Sequence, residues 1–259
     1  LNLPAVEKDR KFVEALSRGL DVLRAFVPGE MLLGNQEIAR RTGLPKATVT
    51  RLTYTLTRLG YLDYSERQEK YQLGTGVLAL GFAYVSSLML RQIARPLMQG
   101  LAERTDAAVG LLGRDRLEMI YIENSRPHHA ETLRLEVGAQ IPMATTAAGR
   151  AYLAELGEKD RDYYLGRLQL RHGDKWPGIR QEIEVALCQY EALGFVASLG
   201  DWERSVNSAG VALKTSEGRI FSFNCGGPAF RIKAGDIMES VGPQLVHFVQ
   251  SLNAMLVRI

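Results

Sequence analysis

The stretch NQEIARRTGLPKATVTRLTYTLTRLGYL, residues 35–62, decides how the first third of the chain is read. It holds two short helical patterns separated by Gly43. Asn35 is a good N-cap for a helix over 36–42, and Gly43 stops it. Pro45 sits where a first helical residue belongs, and a second helix is predicted over 45–59, closed by Gly60. Val49, Leu52, Leu56 and Leu59 recur at three- and four-residue steps, a stripe expected to pack inward. The opposite face carries Ala47, Thr50, Arg51, Tyr54 and Arg58, with Lys46 and Thr48 near the helix start. These side chains suit DNA. Arg can pair bidentately with guanine, Thr can reach a base or a thymine methyl, and Lys and Tyr reach phosphates. In a helix-turn-helix the preceding helix crosses the phosphate backbone, so Arg40 and Arg41 are expected to be positioning contacts.

Outward from this stretch, Phe12, Leu16, Leu20, Leu23 and Phe26 have helical spacing, and Pro28-Gly29 ends that helix. Downstream, YLDYS and KYQL flank the polar turn ERQE and read as a β-hairpin. Its tip, with Arg67 and Lys70, would touch the flanking backbone or minor groove. Three helices and a hairpin in this order predict a winged helix-turn-helix.

Charge agrees with this placement. Residues 1–75 hold 12 Lys/Arg and 9 Asp/Glu, whereas residues 76–259 hold 20 of each. The excess positive charge lies in the first third, as for a DNA module attached to a neutral body. Residues 71–90 carry no charge over 20 positions, long enough to span a bilayer. Gln72, Thr75, Ser86, Ser87 and three glycines argue instead for a helix buried or at a subunit interface. The two cysteines, Cys188 and Cys225, form neither a zinc-ligand pattern nor a disulfide framework. The first residues, LNLPAVEKDRK, have no apolar core and do not read as a signal peptide. A cytoplasmic location is expected, with no cofactor and no metal.

Beyond residue 90 the pattern alternates. A helix over 91–104 is expected to bend or break near Pro96. Strands are predicted over AAVGLLGR, LEMIYIEN, TLRLEVG, GFVASLGD, SAGVALKT and RIFSFNCGG. Helices are predicted over 146–156, 160–169, 178–192 and 233–258. Six strands with helices before, between and after them suggest an α+β ligand-binding domain.

LSRGLDVLRAF, the 35–62 stretch and KYQLGTGVLALG together closely resemble the N-terminal domain of the IclR (isocitrate-lyase-regulator) family. VGAQIPMATTAAGRAYLA resembles that family's opening of an effector pocket, and GFVASLGDWERSVNSAGVAL and FSFNCGGPAFR fall in the order of its later pocket strands. The resemblance implies a bacterial transcription regulator: a winged helix-turn-helix over 1–73, a linker and dimerisation helix over 74–90, and a GAF/PAS-like effector-binding domain over 91–259. It also implies a homodimer, often paired into a dimer of dimers, on a palindromic promoter operator. Matched one by one, Leu133, Ala147 and Ala148 fall at the pocket mouth and amide-bearing loop, Ser198 and Ser208 at polar wall positions, and Asn224 and Gly226 on the last strand. Thr146 belongs to the same loop. Cys225 lies between the last two positions, and alternation along a strand can turn it to the opposite face. The chain departs from the family in having Ser198-Leu199 where an acidic pair is usual and Asn207 where Arg is usual.

Residues 144–149, ATTAAG, are small residues entering a helix. They read either as exposed amides for a carboxylate or as a close-packed join. Without an acid at Ser198 repulsion toward an anion is relieved. A small organic acid is expected, and Phe221, Phe223 and Trp202 suggest an aromatic one. Two other functions stay open: a thiol sensor at Cys225, and an enzyme tethered to DNA. Against the enzyme, no acid/base or nucleophile constellation emerges and no catalytic residue is assigned. His128-His129 read as a solvated loop, and Asp201, Glu203 and Arg204 as a loop near the ligand entrance or a solvated turn.

Overall fold

In the computed structural model, which describes residues 11–128 and 135–257, the chain divides into two units at the Ser87–Leu88 junction. In the first, α1 (Glu14–Arg24), α2 (Asn35–Thr42) and α3 (Lys46–Arg58) pack around Val22, Leu33, Ile38, Val49 and Leu62. The N-cap of α2 is Gly34 rather than Asn35, and the Glu37 carboxylate accepts the Gly34 N–H at 2.9 Å. That bond, with Lys70 beside it, lowers the Glu37 pKa. Asn35 bridges to α3 instead, accepting from the buried Thr53 hydroxyl at 3.3 Å. Gly43 takes a left-handed φ of 70°, which turns the chain between the two helices.

The inward stripe of α3 comprises Val49, Leu52, Thr53 and Leu56, but Leu59 is 63% exposed. The helix ends there in a Schellman turn. Tyr61 N–H donates to Leu56 O at 2.9 Å and Gly60 N–H to Thr57 O at 3.0 Å, so Leu59 swings out of the periodic row. β1 (Leu62–Ser65) and β2 (Lys70–Leu73) form the hairpin. Leu33 bridges to Tyr71 through two bonds of 2.9 Å, which seats the hairpin on the helices. Helix α4 (Thr75–Ser87) follows and buries no residue within its unit, with Leu78 72% and Phe82 70% exposed. Among the described residues no single helix is long and apolar enough to cross a membrane.

The second unit is a six-stranded antiparallel sheet of β3 (Ala108–Asp115), β4 (Glu118–Ser125), β5 (Gln140–Pro142), β6 (Val196–Leu199), β7 (Val206–Lys214) and β8 (Ile220–Pro228). The order is β5-β4-β3-β8-β7-β6. The strand expected over 132–138 lies partly outside the described residues, and 135–138 form loop and turn. Gly138, at φ 91°, interrupts the extended run, and the edge strand forms just after it as β5.

One face packs on α5 (Met89–Thr105) and α10 (Gly242–Leu256). Helix α5 runs through Pro96 unbroken. An internal proline costs about 3 kcal/mol. Burial of Met98 and Leu101 offsets that at roughly 1.5–3 kcal/mol each. The single C-terminal helix expected from the sequence is instead a short α9 (Ala234–Asp236), a π turn (Ile237–Val241) and α10. Pro243 has no N–H to donate, and the helical register slips there. The other face carries α6 (Ala147–Glu155) and α8 (Trp176–Leu193), with α7 (Glu158–His172) packed outside them.

Candidate nucleic-acid interface and ligand pocket

Helix α3 presents Lys46, Thr50, Arg51, Tyr54 and Arg58 to solvent along one side, with Thr48 half-buried at the start. Tyr54 is 67% exposed, far above what a core aromatic shows. Thr50 donates back to Lys46 O at 3.0 Å, which holds its methyl outward. Arg40 is exposed on α2, and Arg67 is exposed in the hairpin turn. Two residues expected on this surface are engaged elsewhere. Arg41 donates to Ala25 O at 2.8 Å and pairs with Glu30, bracing the end of α1. Lys70 lies in β2 rather than at the tip and pairs with Glu37 at 3.3 Å. Arg41 was expected at DNA because it lies on the helix that precedes α3, and Lys70 because it was placed at the hairpin tip. The carboxylates that claim them, Glu30 and Glu37, fix them by tertiary contact.

The second unit holds a cleft between α6 and the sheet. Across the sheet beneath it runs a row of four cross-strand partners, Asn124 on β4, Gly110 on β3, Asn224 on β8 and Gly210 on β7, of which the two asparagines line the cleft. The glycines make the row possible. A Cβ at Gly110 would meet Asn224 Oδ1 and Tyr121 Cε1, each at 2.4 Å. A Cβ at Gly210 would lie 2.3 Å from Ala147 O and 2.8 Å from Ala148 N. The first turn of α6 therefore rests directly on β7. Thr146 caps that turn: its hydroxyl accepts from Gly149 N at 3.1 Å and donates to Pro142 O at 2.7 Å. The Ala147 and Ala148 amides, next in the same turn, have no acceptor within the helix. They leave a partial positive charge at the cleft.

Seven expected pocket residues line the cleft: Thr146, Ala147, Ala148, Ser198, Ser208, Asn224 and Gly226. Leu133 lies outside the described residues. Cys225 does not line it. Its side chain is buried in the core on the opposite sheet face, 3.5 Å from the Thr105 hydroxyl. Burial pushes its thiol up to about 12, so at neutral pH it is an inert thiol, contrary to the redox reading. Phe221 and Phe223 also belong to that opposite core, and of the three aromatic residues only Trp202 reaches the cleft.

Tyr121 and Asn124 were not anticipated as lining. Asn224 Nδ2 donates to Tyr121 Oη at 2.8 Å, and Asn124 Nδ2 donates to Leu135 O at 2.6 Å. The Oδ1 atoms of both asparagines are buried without a donor among the described residues. Burial raises Tyr121 to about 12, so its hydroxyl stays protonated. Among the described residues, no charged side chain lines the cleft.

Arg150 stands behind this wall. It is 3% exposed, donates to Ala144 O at 2.9 Å, and pairs with Glu182 at 2.6 Å and with Asp201. It thereby ties the entry to α6, helix α8 and the loop that carries Trp202. His128 is exposed, 3.5 Å from Glu103, and His129 lies outside the described residues. Among the described residues no group of three or more His, Cys, Asp or Glu side chains could hold a metal ion.

A helix pair with an exposed basic face, followed by an α+β unit with a cleft beneath a helix start, defines a ligand-responsive transcription regulator. Two family models agree. The IclR helix-turn-helix domain matches residues 15–66, and the bacterial transcriptional regulator IclR C-terminal matches residues 82–252. The chain belongs to the IclR family of bacterial transcriptional regulators. It is 36% identical over 251 residues to the HTH-type transcriptional regulator TsaQ1/TsaQ2 of Comamonas testosteroni, covering 96% of this chain and 90% of that one. An IclR family transcriptional regulator from Brucella abortus superposes with a TM-score of 0.92 at 43% identity, over 99% of this chain and 97% of that one. An IclR homologue from Microbacterium hydrocarbonoxydans, crystallised with 4-hydroxybenzoate, shares the fold at a TM-score of 0.73 and 22% identity, over 95% of this chain and 100% of that one. The chain is accordingly a DNA-binding regulator and not an enzyme.

Proposed function

We propose that the exposed side of α3 reads base edges in the major groove, Arg51 and Thr50 foremost, while Arg40, Lys46, Tyr54, Arg58 and Arg67 hold phosphates. The second unit then binds a small, aromatic carboxylic acid that alters promoter affinity. The observation that carries the pocket reading is the start of α6 lying on Gly210, with the Ala147 and Ala148 amides at the cleft. Amides at a helix start complement an anion. That a chain of this fold holds 4-hydroxybenzoate supports an aromatic acid of this size.

The working form is a homodimer in the cytoplasm, on a palindromic operator. Phe12, Leu16 and Leu20, and Leu78 and Phe82 of α4, are large apolar side chains exposed on the first unit, and a second copy would cover them. Two dimers pair further on adjacent half-sites. The acid acts by population shift: it must bind one arrangement better than another, and the difference caps its effect on DNA. Calorimetric titration with benzoate tests the pocket. Micromolar-to-millimolar binding that Gly210→Val abolishes is expected; binding unaffected by Gly210→Val would overturn this placement.

A further inference from the structure

The geometry points to Thr50 as a reader of thymine through its methyl group, with Asn35 as the positioning residue that turns the methyl outward. This rests on the major-groove reading of α3 and names the base, and the group on it, that one side chain of that helix recognises. The observation is how the Thr50 hydroxyl is used. Its proton goes to Lys46 O, one turn back on the same helix, at 3.0 Å. Its oxygen accepts from Asn35 Nδ2, which reaches across from the start of α2, at 3.4 Å. Asn35 is held in turn, because its Oδ1 accepts from the buried Thr53 hydroxyl at 3.3 Å.

A threonine can bring two groups to a base edge, a hydroxyl and a methyl. The Thr50 hydroxyl has one proton, and Lys46 O takes it. None is left to donate to guanine O6 or N7, to adenine N7 or to thymine O4. In a helix threonine divides between two χ1 rotamers, and the Asn35 amide favours the one that keeps the oxygen toward α2. Thr50 is nevertheless exposed, so what it turns to the open side is its methyl. In the major groove the matching surface is the C5-methyl, an apolar group that only thymine presents among the four bases. Lys46 and Arg51 are exposed on the same helix and supply the charge for phosphate and guanine. The uncharged side chain between them therefore adds discrimination and little overall affinity.

The test needs only the full-length protein and DNA. A preferred site is selected from a pool of randomised duplexes, and each of its thymines is then replaced in turn by deoxyuridine, which lacks only the methyl. The expected result is a thymine at which the replacement weakens binding about 3- to 5-fold, the worth of one buried methyl. Thr50→Ser keeps the hydroxyl and removes the methyl, and should abolish that penalty at that base and at no other. Thr50→Val removes the hydroxyl and keeps a methyl, and should retain both the penalty and the selected site. In Asn35→Ala the penalty should shrink, whereas a merely structural loss would weaken thymine and uracil duplexes alike. Three results would overturn the inference and leave the groove reading of α3 intact: no uracil penalty at any thymine, a penalty that persists undiminished in Thr50→Ser, or a Thr50→Val protein that selects a different base. A pool that yields no preferred sequence would overturn both.

Discussion

Side chains of one chemical type divide sharply by environment. Arg51 and Arg41 lie ten positions apart in the same basic stretch, yet Arg51 is exposed and Arg41 is tied to Ala25 and Glu30. Arg51→Ala should lower operator affinity about 5- to 150-fold, the worth of one bidentate base contact, with an unchanged melting temperature; unchanged affinity in an anisotropy titration would remove Arg51 from the reading face. Arg41→Ala should do the reverse. It should cost roughly 1–2 kcal/mol in urea unfolding, the value of a partly buried charged hydrogen bond, and leave phosphate contacts intact. The two cysteines divide the same way. Cys188 is exposed and Cys225 buried, so a thiol reagent should titrate one equivalent in the native protein and two after denaturation. Two equivalents in the native state would restore Cys225 as a sensor.

At the scale of elements, what was legible was local. The α2–Gly43–α3 turn needs only a left-handed glycine and a helical apolar period, both within 35–62, and the hairpin needs only two β-prone runs around a polar turn. The α6 start was legible too, as a run of small residues. The cleft floor was not. Asn124, Gly110, Asn224 and Gly210 come from four strands separated by up to about a hundred residues, and a bulge between Leu111 and Leu112 shifts the register beside them. Alternation within one strand cannot give that row. A usable signal existed in Gly110 and Gly210, since a glycine inside a strand marks close approach of another group. Alternation within β8 does turn Cys225 away from the cleft, as its place between Asn224 and Gly226 allowed, and it carries Phe221 and Phe223 to the same core. Arg150 was invisible for a related reason: its partners, Ala144, Glu182 and Asp201, lie on three separate segments. Arg150→Ala empties a buried site and leaves the Ala144 carbonyl without its donor, while Glu182 and Asp201 are left partly in solvent. It should cost about 1–3 kcal/mol and loosen the Trp202 loop, read as a red shift of tryptophan emission. A stability loss under about 0.5 kcal/mol with unshifted emission would show that the network is ornamental to the pocket wall.

For the whole molecule, the first unit carries excess positive charge, an exposed reading face and large apolar side chains with no cover of their own. Leu78→Asp together with Phe82→Asp should convert a dimer to a monomer in sedimentation equilibrium and weaken operator binding, because a palindrome is read by two copies at once; an unchanged mass would move the interface elsewhere. The second unit supplies the signal through a cleft whose polar groups, among the described residues, are helix-start amides, hydroxyls and carboxamides. The account joins the two by one quantity, the change in promoter affinity when the cleft fills. The most direct measurement is an anisotropy titration of the protein onto its own upstream DNA, with and without saturating 4-hydroxybenzoate. The account predicts a shift in midpoint of about 5- to 150-fold, the range of ordinary allosteric coupling. The same midpoint with the cleft demonstrably full would contradict it.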